Sequence, residues 1–234
     1  MMKKIVAVTV FLALVAFPVF AQDTPAQPGA LGVDTAQQNL QEVSVNRFED
    51  PGFWISSIPA DRGLIMHRRV AGGPADKEPI PSEEAAGIEP VDDFVIGVRT
   101  DFYRRGSATL SLRPVRPIAI PGIVKTISVW VVGRNFNHRL SLVVEDFFGN
   151  INVLPMGRLN HTGWRQMTVA IPPTIRQRNP HYNTETGLKV LGLVIDAAIE
   201  EAYGTFYVYF DDMRAVTDLF GEDIRDPDDM VDGW

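Results

Sequence analysis

The chain has 234 residues, is 45% hydrophobic and 22% charged, carries a formal net charge of −7 and contains no cysteine. The apolar fraction excludes a disordered chain, and the missing cysteine excludes a disulfide scaffold, a thiolate zinc site and a cysteine nucleophile. The acidic balance argues against nucleic acid as a partner, and the length suits one large domain or two small ones.

The chain opens on the basic Met1-Met2-Lys3-Lys4, followed by the apolar run Ile5 to Phe20. That run is 16 residues long, short of the roughly 20 needed to span a bilayer. Val19-Phe20-Ala21 fits a cleavage site after Ala21. Residues 1–21 therefore read as a secretory signal peptide, and no later stretch is apolar enough to embed in a membrane. Residues 22–42, rich in Gln, Pro, Ala and Gly, read as a flexible lead.

Short strand-like runs follow, at Val43–Glu49, Phe53–Ile58, Leu64–Val70, Phe94–Arg99, Ala108–Arg113, Lys125–Gly133, Leu140–Asp146, Asn152–Pro155, Trp164–Ile171, Leu188–Ile195 and Thr205–Phe210. In Phe206-Tyr207-Val208-Tyr209-Phe210 one face is apolar and the other amphipathic, the period-2 signature of a half-buried strand. Ala197–Ala202 and Asp211–Phe220 are two weak helix candidates. The longest break, Ala71–Pro90, holds Pro74, Pro79, Pro81 and Pro90 and is either a mobile loop or an ordered insertion used for contact. A second proline-rich stretch, Pro114 to Gly122, reads as an edge or a crossing between sheets. The pattern predicts an all-β fold, an antiparallel two-sheet β-sandwich or jelly roll, as one domain over 43–217 with an acidic tail over 218–234.

Without residues 1–21 the net charge is −9, and it is unevenly spread. Residues 22–98 carry −8, residues 99–178 carry +9 and residues 211–234 carry −7. Of the 20 basic residues in 22–234, 17 are arginine, the cation enriched at protein interfaces. Arg99, Arg104, Arg105, Arg113, Arg116, Arg134 and Arg139 form a candidate partner-binding band. Asp228, Asp229 and Trp234 in the tail are the candidate counterpart, reaching a neighbouring subunit's band. The structural alternative is solvated faces that neutralise each other within one monomer.

Catalytic signatures are absent: no serine elbow, phosphate loop, dinucleotide fingerprint or closely spaced histidine pair is present. One constellation suggests a structural calcium ion. If the first and last strands lie side by side, Glu49, Asp50, Asp211 and Asp212 can share oxygen ligands. Trp130 and Trp164 are candidates for stacking on sugar rings, the alternative being that tryptophans in strands anchor the core. A periplasmic hydrolase is the least supported reading.

The run Ile127-Ser-Val-Trp130-Val-Val-Gly-Arg134-Asn-Phe-Asn-His138 is followed in order by Asp146-Phe-Phe-Gly149-Asn150, Gly163-Trp164 and Gly204-Thr-Phe-Tyr-Val-Tyr-Phe-Asp211-Asp212-Met-Arg214. With Phe48-Glu-Asp-Pro-Gly-Phe-Trp54, this ordered set resembles the spirochaete flagellar filament outer-layer (sheath) protein family over most of 43–234. The resemblance implies a non-enzymatic structural component of the periplasmic flagellum, exported by its signal peptide. It implies core flagellin, other sheath proteins and further copies or paralogues as partners, with an influence on filament stiffness, curvature and motility. The alternative is a periplasmic glycan-binding jelly-roll module.

Overall fold

The computed structural model describes residues 40–178 and 187–219. Its strands are β1 (Leu40–Asn46), β2 (Trp54–Ser57), β3 (Gly63–Ala71), β4 (Phe94–Phe102), β5 (Ala108–Pro114), β6 (Ile118–Ile120), β7 (Ile123–Val132), β8 (Arg139–Glu145), β9 (Ile151–Arg158), β10 (Trp164–Ala170), β11 (Leu188–Ala197) and β12 (Gly204–Asp218). Among the described residues the one α-helix is α1 (Pro81–Ala85). The strands form two six-stranded antiparallel sheets, as the sequence pattern predicts. Sheet A runs β10-β7-β12-β4-β3, with β1 also on β12; sheet B runs β2-β5-β11-β8-β9, with β6 also on β11.

Each sheet is organised by one long strand. β12 pairs with β7 along one side, while its other side is shared by β4 and then β1. β11 pairs with β8 along one side and with β6 and then β5 along the other. Both long strands carry a bulge where the shared side changes partner. A bulge inserts one residue and switches which residues face inward. In β11 the buried set is Leu188 and Val190 before the bulge, then Leu193, Ile195 and Ala197 after it. In β12 it is Phe206, Val208 and Phe210, then Met213 and Ala215.

The inner faces meet in one apolar core. Ile96, Val98, Ile127, Val129, Val131, Phe206 and Phe210 from sheet A face Leu110, Leu112, Leu140, Leu142, Val144 and Leu193 from sheet B. Trp54 is the tryptophan that anchors this core. Its ring stacks on fully buried Phe48 at 4.7 Å, and Phe48 stacks in turn on Phe210 at 6.2 Å. His138 is also buried, against Phe136 and Phe206. Burial holds its pKa below the ordinary histidine value. Its Nδ1 accepts the Ala198 N–H at 3.2 Å, so the neutral ring carries its proton on Nε2.

Three expectations are corrected. β1 begins at Leu40, because residues 40–42 complete the ladder with Val216–Asp218. The proline-rich stretch is both edge and crossing: β6 pairs with β11 of sheet B, and the chain then passes to β7 of sheet A. Ala197–Ala202 is a single hydrogen-bonded turn between β11 and β12. Asp211–Asp218 is strand and not helix, because β12 continues through its bulge to Asp218. The signal peptide, residues 22–39 of the lead and residues 220–234 of the tail lie outside the described residues.

The β11 bulge depends on Gly192, at φ +139°, where an added Cβ would lie 2.5 Å from the Leu112 carbonyl oxygen. Gly192→Ala should therefore cost ~2–3 kcal/mol in urea unfolding, against about 1 kcal/mol for Gly149→Ala, whose added methyl meets nothing within 4 Å. Equal losses would contradict this account of the bulge.

Candidate functional site

The β3–β4 hairpin ladder closes at Ala71 and Phe94. Residues 72–93, an ordered insert, fold back from it over the outer face of sheet A. What brings them down is charge. The β12 bulge turns Asp211 and Asp212 onto that face; Asp212 takes a left-handed backbone, φ 45°. Both are almost fully buried, and buried carboxylates require counter-charge.

Lys77, from the insert, donates to Asp211 Oδ2 at 3.0 Å and also pairs with Asp92. Arg214 donates through Nε to Asp212 Oδ2 at 2.6 Å and through Nη2 to the Glu78 carbonyl at 2.6 Å. Its Nη1 lies 3.6 Å from Glu42 of β1. Arg47 pairs with Glu83 of α1, and Ser82 donates to the Glu42 carbonyl at 3.3 Å. Gly73 lets the insert approach, since a Cβ there would stand 3.1 Å from Asp211 Oδ2. Between insert and sheet lies a cleft of about 530 Å³ lined by Arg47, Lys77, Glu83, Ile88, Asp92 and Arg214, among others.

Burial dominates the titration of this cluster. It pushes the Asp211 carboxyl up to about 6, with Asp92 and Asp212 adding to the effect and Lys77 opposing it. Asp211 Oδ1 is buried without a hydrogen-bond partner, the same desolvation seen in geometry. Burial also works against the charge on Lys77, but its hydrogen bonds to Asp92 and Asp211 outweigh this and leave its pKa raised.

The other half of sheet A's outer face is open. Cross-strand register puts Trp164, Val132, Tyr209, Gly97 and Arg68 in one row, and Tyr207, Arg99 and Met66 in the next. Trp130 is the diagonal neighbour of Trp164 and Tyr209. Tyr209 lies over Gly97, where an added Cβ would come 3.0 Å from the ring. Arg134 follows β7 in a left-handed turn, φ 53°. Its guanidinium sits 5.2 Å from the Tyr209 ring centroid and 5.9 Å from that of Tyr207, and Nη2 donates to the Tyr209 hydroxyl at 3.3 Å. Arg99 is 5.9 Å from the Tyr207 ring from β4 and pairs with Asp101 at 3.1 Å. The Thr205 hydroxyl and Arg99 together hold the Asp101 carboxyl below the usual carboxylate range.

The seven-arginine band is thus divided. Arg99 and Arg134 share the open face of sheet A. Arg104 pairs with Asp61 at 2.7 Å, and Arg105 lies 4.5 Å from the Tyr203 ring, both in the β4–β5 turn. Arg113 and Arg139 are exposed on β5 and β8 of sheet B, and Arg116 is exposed after β5. Trp130 and Trp164 stand half-buried on the outer face and are not core anchors.

β1 and β12 do lie side by side, but the four carboxylates expected to share calcium do not converge. Glu49 accepts the Phe94 N–H at 3.0 Å, Asp50 caps the turn at Gly52 at 2.8 Å, and Asp211 and Asp212 face Lys77 and Arg214. No three acidic or histidine side chains form a metal-holding group among the described residues. Asp228, Asp229 and Trp234 lie outside the described residues. Lys77, Met66 and Arg68 were not singled out in the sequence. Met66 and Arg68 were findable from the alternation of β3, whereas Lys77 meets a residue 134 positions away.

A carboxyl with a raised native pKa binds its proton more readily folded than unfolded. Acid therefore favours folding between the ordinary aspartate value and about 6. Relative to the parent, Asp211→Asn should gain stability as pH rises from about 4 to 6, by up to ~3 kcal/mol, and the difference should then level off. The His138 contribution is common to both proteins and cancels. Urea unfolding at four pH values reads this directly; parallel pH curves would contradict it.

A family model described as Flagellar filament outer layer protein Flaa matches residues 19–226. A flagellar filament outer layer-like protein of Brachyspira hyodysenteriae (strain ATCC 49526 / WA1) is 34% identical over 222 residues, covering 92% of this chain and 100% of the relative. A flagellar filament outer layer protein of Spirochaeta aurantia is 36% identical over 73 residues, 31% of this chain and 19% of that protein. Among solved structures, the family 11 carbohydrate-binding module of Clostridium thermocellum, in complex with a β-1,3-1,4-mixed-linked tetrasaccharide, aligns with TM-score 0.45 and 12% identity over 77% of this chain and 98% of its own. TmCBM61, in complex with β-1,4-galactotriose, gives 0.42 and 13% over 75% and 99%. With most of its length matched by the family model and by a full-length relative, the chain belongs to the flagellar filament outer layer protein family.

Proposed function

We propose that the protein is a structural subunit of the coat of a periplasmic flagellum, working by contact and without catalysis. Its partners are core flagellin, other sheath proteins and further copies of itself or its paralogues. The observation that carries this is the open half of sheet A. An open sheet face bearing Trp130, Trp164, Tyr207, Tyr209, Met66, Arg68, Arg99 and Arg134 has the residue types that dominate protein interfaces. Many copies of such a face, each making modest contacts, suit a coat that must bend with its filament. The buried Lys77–Asp211 latch fixes the insert as the rim of that face. Export fits the signal-peptide reading of residues 1–21, and no described helix is long and apolar enough to cross a membrane.

Charge reversal tests the face without disturbing the core. The double variant Arg99→Glu, Arg134→Glu should co-sediment with isolated filaments at least tenfold more weakly than the parent at low salt, while Arg104→Glu should bind as the parent does. Binding of the double variant equal to the parent's would contradict the assignment.

A second reading rests on the two tryptophans. Trp130 and Trp164, side by side on an exposed sheet, are placed to stack on a sugar, and a glycan on the filament would then be the contacted group. If so, oligosaccharide binding on an array is saturable and lost in Trp164→Ala with the fold intact. No saturable binding leaves the protein-contact reading alone.

A further inference from the structure

The outer face of sheet B differs from that of sheet A. Ile55, Leu191, Val194, Val143 and Ile151, with Pro114, Val115 and Pro117, line an apolar groove of about 430 Å³. Ile55, Val115 and Ile151 are 47%, 61% and 66% exposed. Arg113 lines the groove, and Arg116, between the lining residues Val115 and Pro117, is exposed. Neither has an ion-pair partner among the described residues.

We propose that this groove is covered by the chain's own C-terminal segment, residues 220–234. Three observations favour that occupant. The first is where the described chain ends. β12 stops at Asp218, whose carbonyl oxygen would stand 2.6 Å from a Cβ on Gly122. Gly122 is five residues from Pro117 in the groove wall, at most about 18 Å along the chain. The second is length. Fifteen residues follow Leu219, enough to reach up to about 50 Å, so roughly ten remain to lie in the groove. The third is chemistry. The segment carries six acids and one base, with Phe220, Ile224, Met230, Val231 and Trp234 between them. Apolar side chains spaced among acids suit a groove that is aliphatic along its floor and cationic at Arg113 and Arg116. This receptor is nearer than the neighbouring subunit's basic band that the sequence suggested. In the free subunit the contact keeps an aliphatic face out of water. The proposal is independent of how sheet A is used.

The test compares the full chain from Gln22 with a chain ending at Leu219, which keeps all of β12. The truncated chain should bind an apolar dye several-fold more strongly, and amides of Val115 and Ile151 should exchange faster. A synthetic peptide of residues 220–234 added back should bind saturably and restore both signals. Its affinity should fall at least tenfold in the Val115→Asp, Ile151→Asp receptor, both exposed positions at which the fold is retained, or with Trp234→Ala in the peptide. Arg113→Glu should weaken binding and flatten its salt dependence. Unchanged dye binding and exchange on truncation, or a peptide that does not bind, would overturn the proposal. So would a full chain that is dimeric and becomes monomeric on truncation, since the groove would then hold a second copy's tail.

Discussion

Two adjacent carboxylates in the middle of the longest strand govern the shape of this molecule. A strand that continued in simple alternation would point one of Asp211 and Asp212 into an aromatic core, a charge with no partner and a cost of several kcal/mol. The bulge between Phe210 and Met213 turns both outward and resets the alternation, so Met213 and Ala215 fill the core beyond it. The two acids then lie on the sheet surface and need cations. Arg214 serves Asp212 from the same strand, and Lys77 reaches Asp211 from the far end of a hairpin connection. The fold of the insert thus follows from where the strand had to break.

This arrangement divides sheet A into a covered half and an open half, and gives the sandwich two unlike outer faces. On the open half the Tyr207 and Tyr209 rings have guanidiniums laid over them, so less side-chain entropy remains to be lost on contact. Pre-ordered Tyr, Trp and Arg side chains supply much of the energy of ordinary interfaces. A face of this kind repeated along a polymer gives heterologous contacts that propagate. Sheet B offers aliphatic surface instead, with Ile55, Val115 and Ile151 exposed.

The fold class was legible in the sequence because most strands keep a clean period of two. Val129 and Val131 against Trp130 and Val132 already separate inside from outside. β6 was not legible, since three residues between prolines carry no period. The second half of β12 was mistaken for a helix candidate because the bulge breaks the alternation where the two aspartates stand. The sequence leaves the insert open between a mobile loop and an ordered insertion, since the latch that decides it joins Lys77 to a residue 134 positions away. The arginine band was visible as a charge excess, but its division among two sheet faces and the β4–β5 turn is set by strand order, which linear charge does not encode. The tryptophans show the same limit: the three among the described residues all lie in strands, yet of these only Trp54 points inward.

The central claim is that the open half of sheet A is the face turned toward the filament. Electron cryo-microscopy of isolated filaments, at a resolution that shows side chains, tests it most directly. The account predicts Trp164, Tyr207, Tyr209 and Arg99 packed against neighbouring filament density, with the insert at the rim of that contact. A map in which this face looks out to solvent while the opposite sheet sits against the core would contradict it.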